Sequence, residues 1–227
     1  RLNRFANKER RFLKYASVIG EEFNPFLSIF KRPKKILPTL LKTAIIVKRE
    51  YNYAFSHPLI RDVIYQDIEK EERLKLHQIL GEYFLEKNDR INAAKHYLLA
   101  ENKSLQIINL LLKLGEDSRK SGNNPRALSY LEKAFNMTKS MRKISDRKMF
   151  DIMFNYAANL LRIGKYNKVI EVSEAIIKLL KGNLKIIKKE KLAMAYSTYA
   201  HSLVRTARYV DCQTSSKIGI ALIKKNK

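Results

Sequence analysis

The side chains able to do chemistry are few and scattered. Four histidines, His57, His77, His96 and His201, stand far apart with no cysteine or carboxylate at ligand spacing, so no metal centre is expected. Isolated helical histidines of this kind read as packing or surface residues. The single cysteine, Cys212, excludes an internal disulfide and fits a reducing compartment. It is expected as a core thiol rather than a nucleophile. Glu69, Glu71 and Glu72 crowd a helix start, where the backbone dipole favours acids without implying a catalytic pair. No Gly-x-x-x-x-Gly-Lys-Ser/Thr occurs, and no glycine-rich turn leads into a helix, so the phosphate cradle of a P-loop is missing. The chain by itself is not expected to be an enzyme or to hold a cofactor.

Positive charge is what the chain has in excess. Its 227 residues carry a net charge of +24, unevenly spread. Thirteen Lys and Arg against four acids give residues 1–56 a net +9, and residues 57–100 come to −1. Residues 101–145 come to +5, and residues 146–227, with seventeen bases against six acids, to +11. Such a field attracts nucleic acid, an acidic membrane surface or an acidic partner, and equally describes a lysine-rich solvated surface. Within the last segment, Tyr166, Lys168, Lys185 and Lys188 are candidate contacts to an acidic protein or peptide. The tyrosines at 130, 156, 166, 196, 199 and 209 should mostly be core, with some free to bind a peptide.

The elements that must position these groups begin with residues 8–19, where Phe12, Ala16 and Ile19 share a helical face and Gly20 sits at the C-cap position. Phe23, Phe26, Leu27 and Phe30 suggest a second short helix, and Leu37 to Thr43 a third, with Pro38 suited to a first turn. Ala44–Lys48 and Tyr51–Phe55 are β-prone runs around a polar turn and predict a hairpin. Pro58 then opens a helix on which Leu59, Val63 and Ile64 are expected to form the apolar face. Three short helices, a hairpin and a helix make the layout of a winged helix, expected over residues 1–68. In many winged helices the third helix enters the major groove and the wing touches phosphate. Lys34, Lys35, Lys42, Lys48 and Arg49 are therefore candidate DNA contacts. The segment lacks the Asn, Gln or Arg cluster that reads base edges, so a structural role is the stronger expectation.

Residues 69–227 read as amphipathic helices with short breaks. Leu80-Gly81, then Asn88-Asp-Arg-Ile-Asn-Ala93, then Ala100 matches Leu114-Gly115, then Gly122-Asn-Asn-Pro-Arg-Ala127, then Ala134. The offset of 34 residues is the tetratricopeptide period. Tyr156-Ala157 with Gly164–Val169, and Tyr199-Ala200 with Ala207–Cys212, continue the pattern at steps of 42 and 43. Gly81, Gly115, Ala157 and Ala200 fall where paired helices should cross closely, and Gly122 and Gly164 where the chain turns back. The expected architecture is mainly α: a small winged-helix domain with one hairpin, then a tetratricopeptide-like solenoid of about four helix pairs.

Two stretches resemble a known family. Arg1-Leu-Asn-Arg-Phe with Glu9-Arg-Arg-Phe-Leu-Lys-Tyr-Ala-Ser-Val-Ile-Gly-Glu-Glu-Phe23 looks like the segment after the ATPase core of STAND-class signalling NTPases. Phe55-Ser-His-Pro-Leu-Ile-Arg-Asp-Val-Ile-Tyr65 and Arg73-Leu-Lys-Leu-His77 are similar to the family's Phe-x-His-x-Leu-x-Arg-(acid)-x-x-Tyr and Arg-x-x-Leu-His pattern. The resemblance covers residues 1–135 and beyond them only the repeats. It implies the regulatory arm of a multidomain signalling ATPase or transcriptional regulator, whose ATP/ADP site lies in a separate nucleotide-binding domain of the parent chain. It further implies that His57, with Arg61 one turn on, senses nucleotide phosphate there; the residues themselves equally allow His57 to cap its helix. The repeats would bind an inducer, peptide or partner protein. A DNA-binding winged helix carrying an interaction array, and a free-standing tetratricopeptide adaptor, are the other expectations. With no run of 18 apolar residues, no leader pattern and an initial Arg, the chain is expected to be a cytoplasmic piece of a longer protein with no membrane partner.

Overall fold

Helix α1 (Asn7–Ile19) starts where the Glu9 carboxylate reaches back 2.9 Å to accept from the Ala6 backbone N–H, and it stops at Gly20. It buries Phe12, Leu13, Tyr15, Ala16 and Val18. The computed structural model describes residues 5–141, 143–180 and 187–224. After Gly20 the chain departs from expectation. Glu22–Phe23 forms a strand, β1, and residues 24–32 are turns rather than a second helix. The Phe23, Phe26, Phe30 spacing imitates a helical stripe, yet Phe26 is 56% exposed while Phe23 and Phe30 enter an aromatic cluster with Phe12 and Phe55. Pro25, with no N–H to donate, also disfavours a continuous helix there.

Helix α2 (Pro33–Lys42) begins earlier than expected, with Pro33 in its first turn, and turns Ile36, Leu37 and Leu40 inward. Pro38 lies inside it on the exposed side, where the carbonyl it leaves unbonded can be met by water. The hairpin forms as expected from β2 (Ile46–Lys48) and β3 (Tyr53–Phe55), in the register Ile46 to Phe55, with the Arg49 N–H donating to the Asn52 carbonyl at the turn. β1 adds antiparallel to β3, so the order is β1-β3-β2 and the hairpin becomes a three-stranded sheet.

Helix α3 (Pro58–Gln66) rotates against expectation. Leu59 and Val63 are 65% and 44% exposed, while Ile64, with Ile60 beside it, faces the core. Positions 59/63 and 60/64 are adjacent stripes of one helix, and packing against the α1 side selects the second. Helices α4 (Lys70–Glu86) and α5 (Arg90–Leu99) then form an antiparallel pair. Ile68, Leu76 and Leu80 pack in the same core as Phe12 and Ile64, and the chain divides into compact units of residues 1–102 and 103–227.

Among the described residues the second unit holds three further helix pairs: α6 (Leu105–Lys120) with α7 (Asn124–Thr138), α8 (Asp146–Arg162) with α9 (Tyr166–Leu180), and α10 (Lys189–Arg205) with α11 (Tyr209–Lys224). The chain is thus mainly helical with one small antiparallel sheet, in tetratricopeptide-like pairs. Side chains cap the starts: Ser104, Asn123 and Ser145 accept from the Ile107, Arg126 and Lys148 N–H groups. Leu131, Phe150, Met153, Leu160, Val169 and Ile176 fill its core.

All four pairs turn through one left-handed residue at the aligned position: Asn88, Gly122, Gly164 and Ala207, with φ between 59° and 79°. Two of these are not glycine. Asn tolerates this region, whereas Ala207 carries a Cβ clash of about 1–2 kcal/mol. Ala207→Gly should therefore raise the stability of the second unit by about 0.5–1 kcal/mol after the added unfolded-state entropy. A higher urea midpoint for the variant checks this; a lower one refutes the strain.

Candidate functional site

His57 caps α3. Its Nδ1 accepts from the Leu59 N–H at 3.2 Å, which places the proton of the neutral ring on Nε2. The ring is exposed, and Nε2 has no partner among the described residues. Arg61, one turn on, is engaged within the fold. Its Nε donates to the Ser17 carbonyl at 2.8 Å, its Nη1 pairs with Asp62 at 2.8 Å, and its guanidinium covers the Tyr65 ring at 4.5 Å. Arg61 is thereby committed to joining α3 to α1.

The chemistry that the sequence hides lies one helix further on. Tyr65 Oη meets His77 Nε2 at 2.9 Å, and His77 Nδ1 meets His96 Nδ1 at 2.9 Å. Both imidazoles are 1% exposed, and Phe84 stacks on His96. Each Nδ1···Nδ1 bond needs one bare nitrogen, so the doubly protonated pair cannot keep it. Burial above all, then the charges of Lys95, Arg61 and Arg73, pushes His77 down to about 4. Burial, then His77 and Lys95, against the opposing pull of Asp89, pushes His96 down to about 3. Arg61 and Arg73 both lie over the Tyr65 ring. The two histidines are nineteen residues apart, on α4 and α5, so no ligand-spacing rule brings them together. The available signal was that both fall on inward faces of adjacent repeat helices.

The basic candidates are all at the surface. Lys34, Lys35 and Lys42 lie along α2, and Lys48 and Arg49 at the hairpin tip, each exposed and without an ion-pair partner among the described residues. In the second unit, the turn between α8 and α9 and the end of α10 enclose a shallow recess of about 540 Å³. Lys165, Tyr166, Lys168 and Arg205 line it, with Glu171 the acid, paired to Lys168 at 3.4 Å. The Arg205 guanidinium lies 5.9 Å from the Tyr166 ring centre, and the His201 ring stacks on Tyr166 at 6.5 Å. Tyr166 and Lys168 are thus brought together, joined by Lys165 and Arg205, which sequence spacing did not single out. Lys188 is exposed ahead of α10 and does not line the recess, and Lys185 lies outside the described residues.

Other acids nearby are occupied. Glu174 accepts from Tyr199 and pairs with Arg208, while Glu132 accepts from Tyr156. Burial first, then those carboxylates, pushes both tyrosines up to about 12. Cys212 is half-buried near Ser216 rather than fully in the core. Among the described residues no helix is long and apolar enough to cross a membrane.

No known protein-family model matches this sequence. No curated protein matches it either. Among solved structures, the chain is similar to BtubC from P. vanneervenii, at 10% identity over 73% of this chain and 70% of that one, with a TM-score of 0.48. It is similar to aspartyl phosphate phosphatase F from Bacillus subtilis, at 13% identity over 86% of this chain and 51% of that one, with a TM-score of 0.48. It is also similar to a Signal Transduction ATPase with Numerous Domains (STAND) protein with a tetratricopeptide repeat sensor from Pyrococcus horikoshii, at 12% identity over 99% of this chain and 45% of that one, with a TM-score of 0.42. The chain spans about half the length of the latter two proteins, and identities this low leave function unaddressed.

Proposed function

We propose that this chain is the non-catalytic interaction arm of a multidomain signalling ATPase of the STAND class. In this reading α1, α2, α3 and the sheet act as a winged-helix domain that docks on the nucleotide-binding domain of the same parent chain. His57 presents its Nε2–H to a nucleotide phosphate there, while the helix pairs take an acidic segment of a partner protein. Binding shifts the parent's switch through contacts that differ between its two states.

The observation that carries the partner half is the Tyr166 recess. An aromatic ring under a guanidinium, flanked by Lys165 and Lys168, suits a carboxylate-bearing peptide with an aromatic or apolar neighbour. A fluorescein-labelled Glu- and Asp-rich peptide is expected to bind, and the Lys168→Glu/Arg205→Glu variant to bind it about tenfold more weakly. Lys188→Glu should leave affinity within about twofold, because that side chain stands outside the recess. Equal affinity in all three proteins overturns the partner half. The parent half is tested by the gene upstream of Arg1: a P-loop and a following acidic strand end are expected, and a reading frame opening near Arg1 overturns it.

A second reading is nucleic-acid binding, favoured by the five exposed cations on α2 and the hairpin tip. Duplex DNA titrated at rising salt decides it, since six or more phosphate contacts lose roughly three orders of magnitude of affinity between about 50 and 200 mM salt. Lys34→Glu/Lys35→Glu/Arg49→Glu should then abolish binding.

A further inference from the structure

Between α1 and the start of α2 lies a second cavity, of about 580 Å³, that the reading above does not use. Its floor is apolar: Phe12, Tyr15, Ile29, Phe30 and Ile36, all of them members or neighbours of the N-terminal core. Its rim is cationic: Lys8, Arg11, Lys31, Arg32 and Lys35, every one exposed. The only acid in the lining is Glu9, whose Oε2 is already occupied by the Ala6 N–H. None of the rim cations has an ion-pair partner among the described residues, and Arg11 leans over the Tyr15 ring at 5.8 Å. The Tyr15 ring is 8% exposed and packs edge-on against Phe30.

Each of these features selects against one class of occupant. An apolar floor gives a bare inorganic anion nothing to bury, so phosphate alone would be held only by screened surface charges. Five like charges around the mouth repel a neutral hydrocarbon's usual protein surroundings less than they attract an anion, and they would remain uncompensated under a neutral ligand. The volume falls within the ordinary range for small-molecule sites, roughly 300–1,000 Å³, and is too recessed for a flat macromolecular surface. Nucleobase recognition needs several convergent donors and acceptors, whereas the floor is apolar.

We infer that this cavity binds a small amphiphilic anion: an acyl or aryl group seated on Phe12, Phe30 and Ile36, with its phosphate or carboxylate held at the rim by Lys31, Lys35 and Arg11. The site belongs to the N-terminal unit and is independent of the Tyr166 recess, so either can fail without the other.

Dodecyl phosphate, used below its micelle concentration, is the probe. Calorimetric titration of the full chain is expected to show saturable one-to-one binding, at least tenfold tighter than inorganic phosphate and tighter than dodecanol. Lys31→Glu/Lys35→Glu should weaken it about tenfold or more without moving the melting temperature, because both side chains are exposed. Lys48→Glu/Arg49→Glu, an equal charge change at the hairpin tip, should leave it within twofold. The inference is overturned if inorganic phosphate binds as tightly, if the hairpin variant loses as much as the rim variant, or if Lys31→Glu/Lys35→Glu changes nothing. Sedimentation with phosphatidic acid vesicles without saturable binding of the monomeric probe would overturn it as well, assigning the cations to a lipid surface instead.

Discussion

Gly81→Ala is expected to destabilise the N-terminal unit by about 1–3 kcal/mol, although the same change in an exposed helix normally gains about 1 kcal/mol. Gly81 lies inside α4, directly under the Tyr97 ring of α5. An added Cβ would stand 2.6, 2.8 and 3.0 Å from three atoms of that ring. Tyr97 is 2% exposed, so the ring body cannot swing aside without opening the helix pair. The steric term outweighs the propensity term because it acts on a buried, rigid group. Removing the ring isolates the cause: in a Tyr97→Leu background, Gly81→Ala should become neutral or stabilising. Urea unfolding of the four proteins closes the cycle, and a stabilising Gly81→Ala in the unchanged chain would refute the close crossing. Gly115 repeats the contact against Leu131 at 2.9 Å, but a flexible leucine branch yields more easily than a ring, so its substitution should cost less.

The largest solution effect should come from pH. Burial above all pushes His77 down to about 4 and His96 down to about 3 in the folded chain, from an ordinary 6.5. Above about pH 6.5 both states leave the rings neutral, and the stability of the buried Tyr65–His77–His96 chain is fully present. Below it the unfolded chain takes up two protons that the folded chain refuses. The unfolding free energy therefore falls as pH drops from about 6.5 towards 4, by up to about 2.7 kcal/mol per pH unit where both rings differ in protonation. The loss across this window, about 6 kcal/mol, is comparable with the lower end of an ordinary domain's stability, of order 5–15 kcal/mol. Urea midpoints measured by circular dichroism at neutral and mildly acidic pH are expected to fall steeply for the unchanged chain. The His77→Phe/His96→Phe variant should lack that slope, whatever its stability at neutral pH. Parallel slopes in the two proteins would show that the histidines are not the cause. His96→Phe alone should be worse than the pair at neutral pH, because it leaves His77 Nδ1 buried without its partner.

What the sequence determined by itself is whatever is set within one or two turns of chain. The small residues at Gly81, Gly115, Ala157 and Ala200, with turns at Asn88, Gly122, Gly164 and Ala207, marked the helix pairs, because a close crossing and a left-handed turn each demand a residue type at a fixed offset. The hairpin was legible for the same reason, and so was His57 as a helix cap, since Pro58 announces the first turn. Tertiary structure alone decided which of two competing faces is buried. Phe23 went to a strand because β3 and the aromatic cluster offered it more than a helix of its own, and α3 turned Ile60 and Ile64 inward instead of Leu59 and Val63. It also decided every meeting of distant residues: Arg61 on Ser17, His77 on His96, Arg205 over Tyr166, and the cationic rim above Phe12 and Phe30. Local periodicity fixes only the rotation of a side chain about its own helix. Its partner depends on how elements far apart in the chain pack, and that is settled by the summed burial of many residues rather than by any one of them.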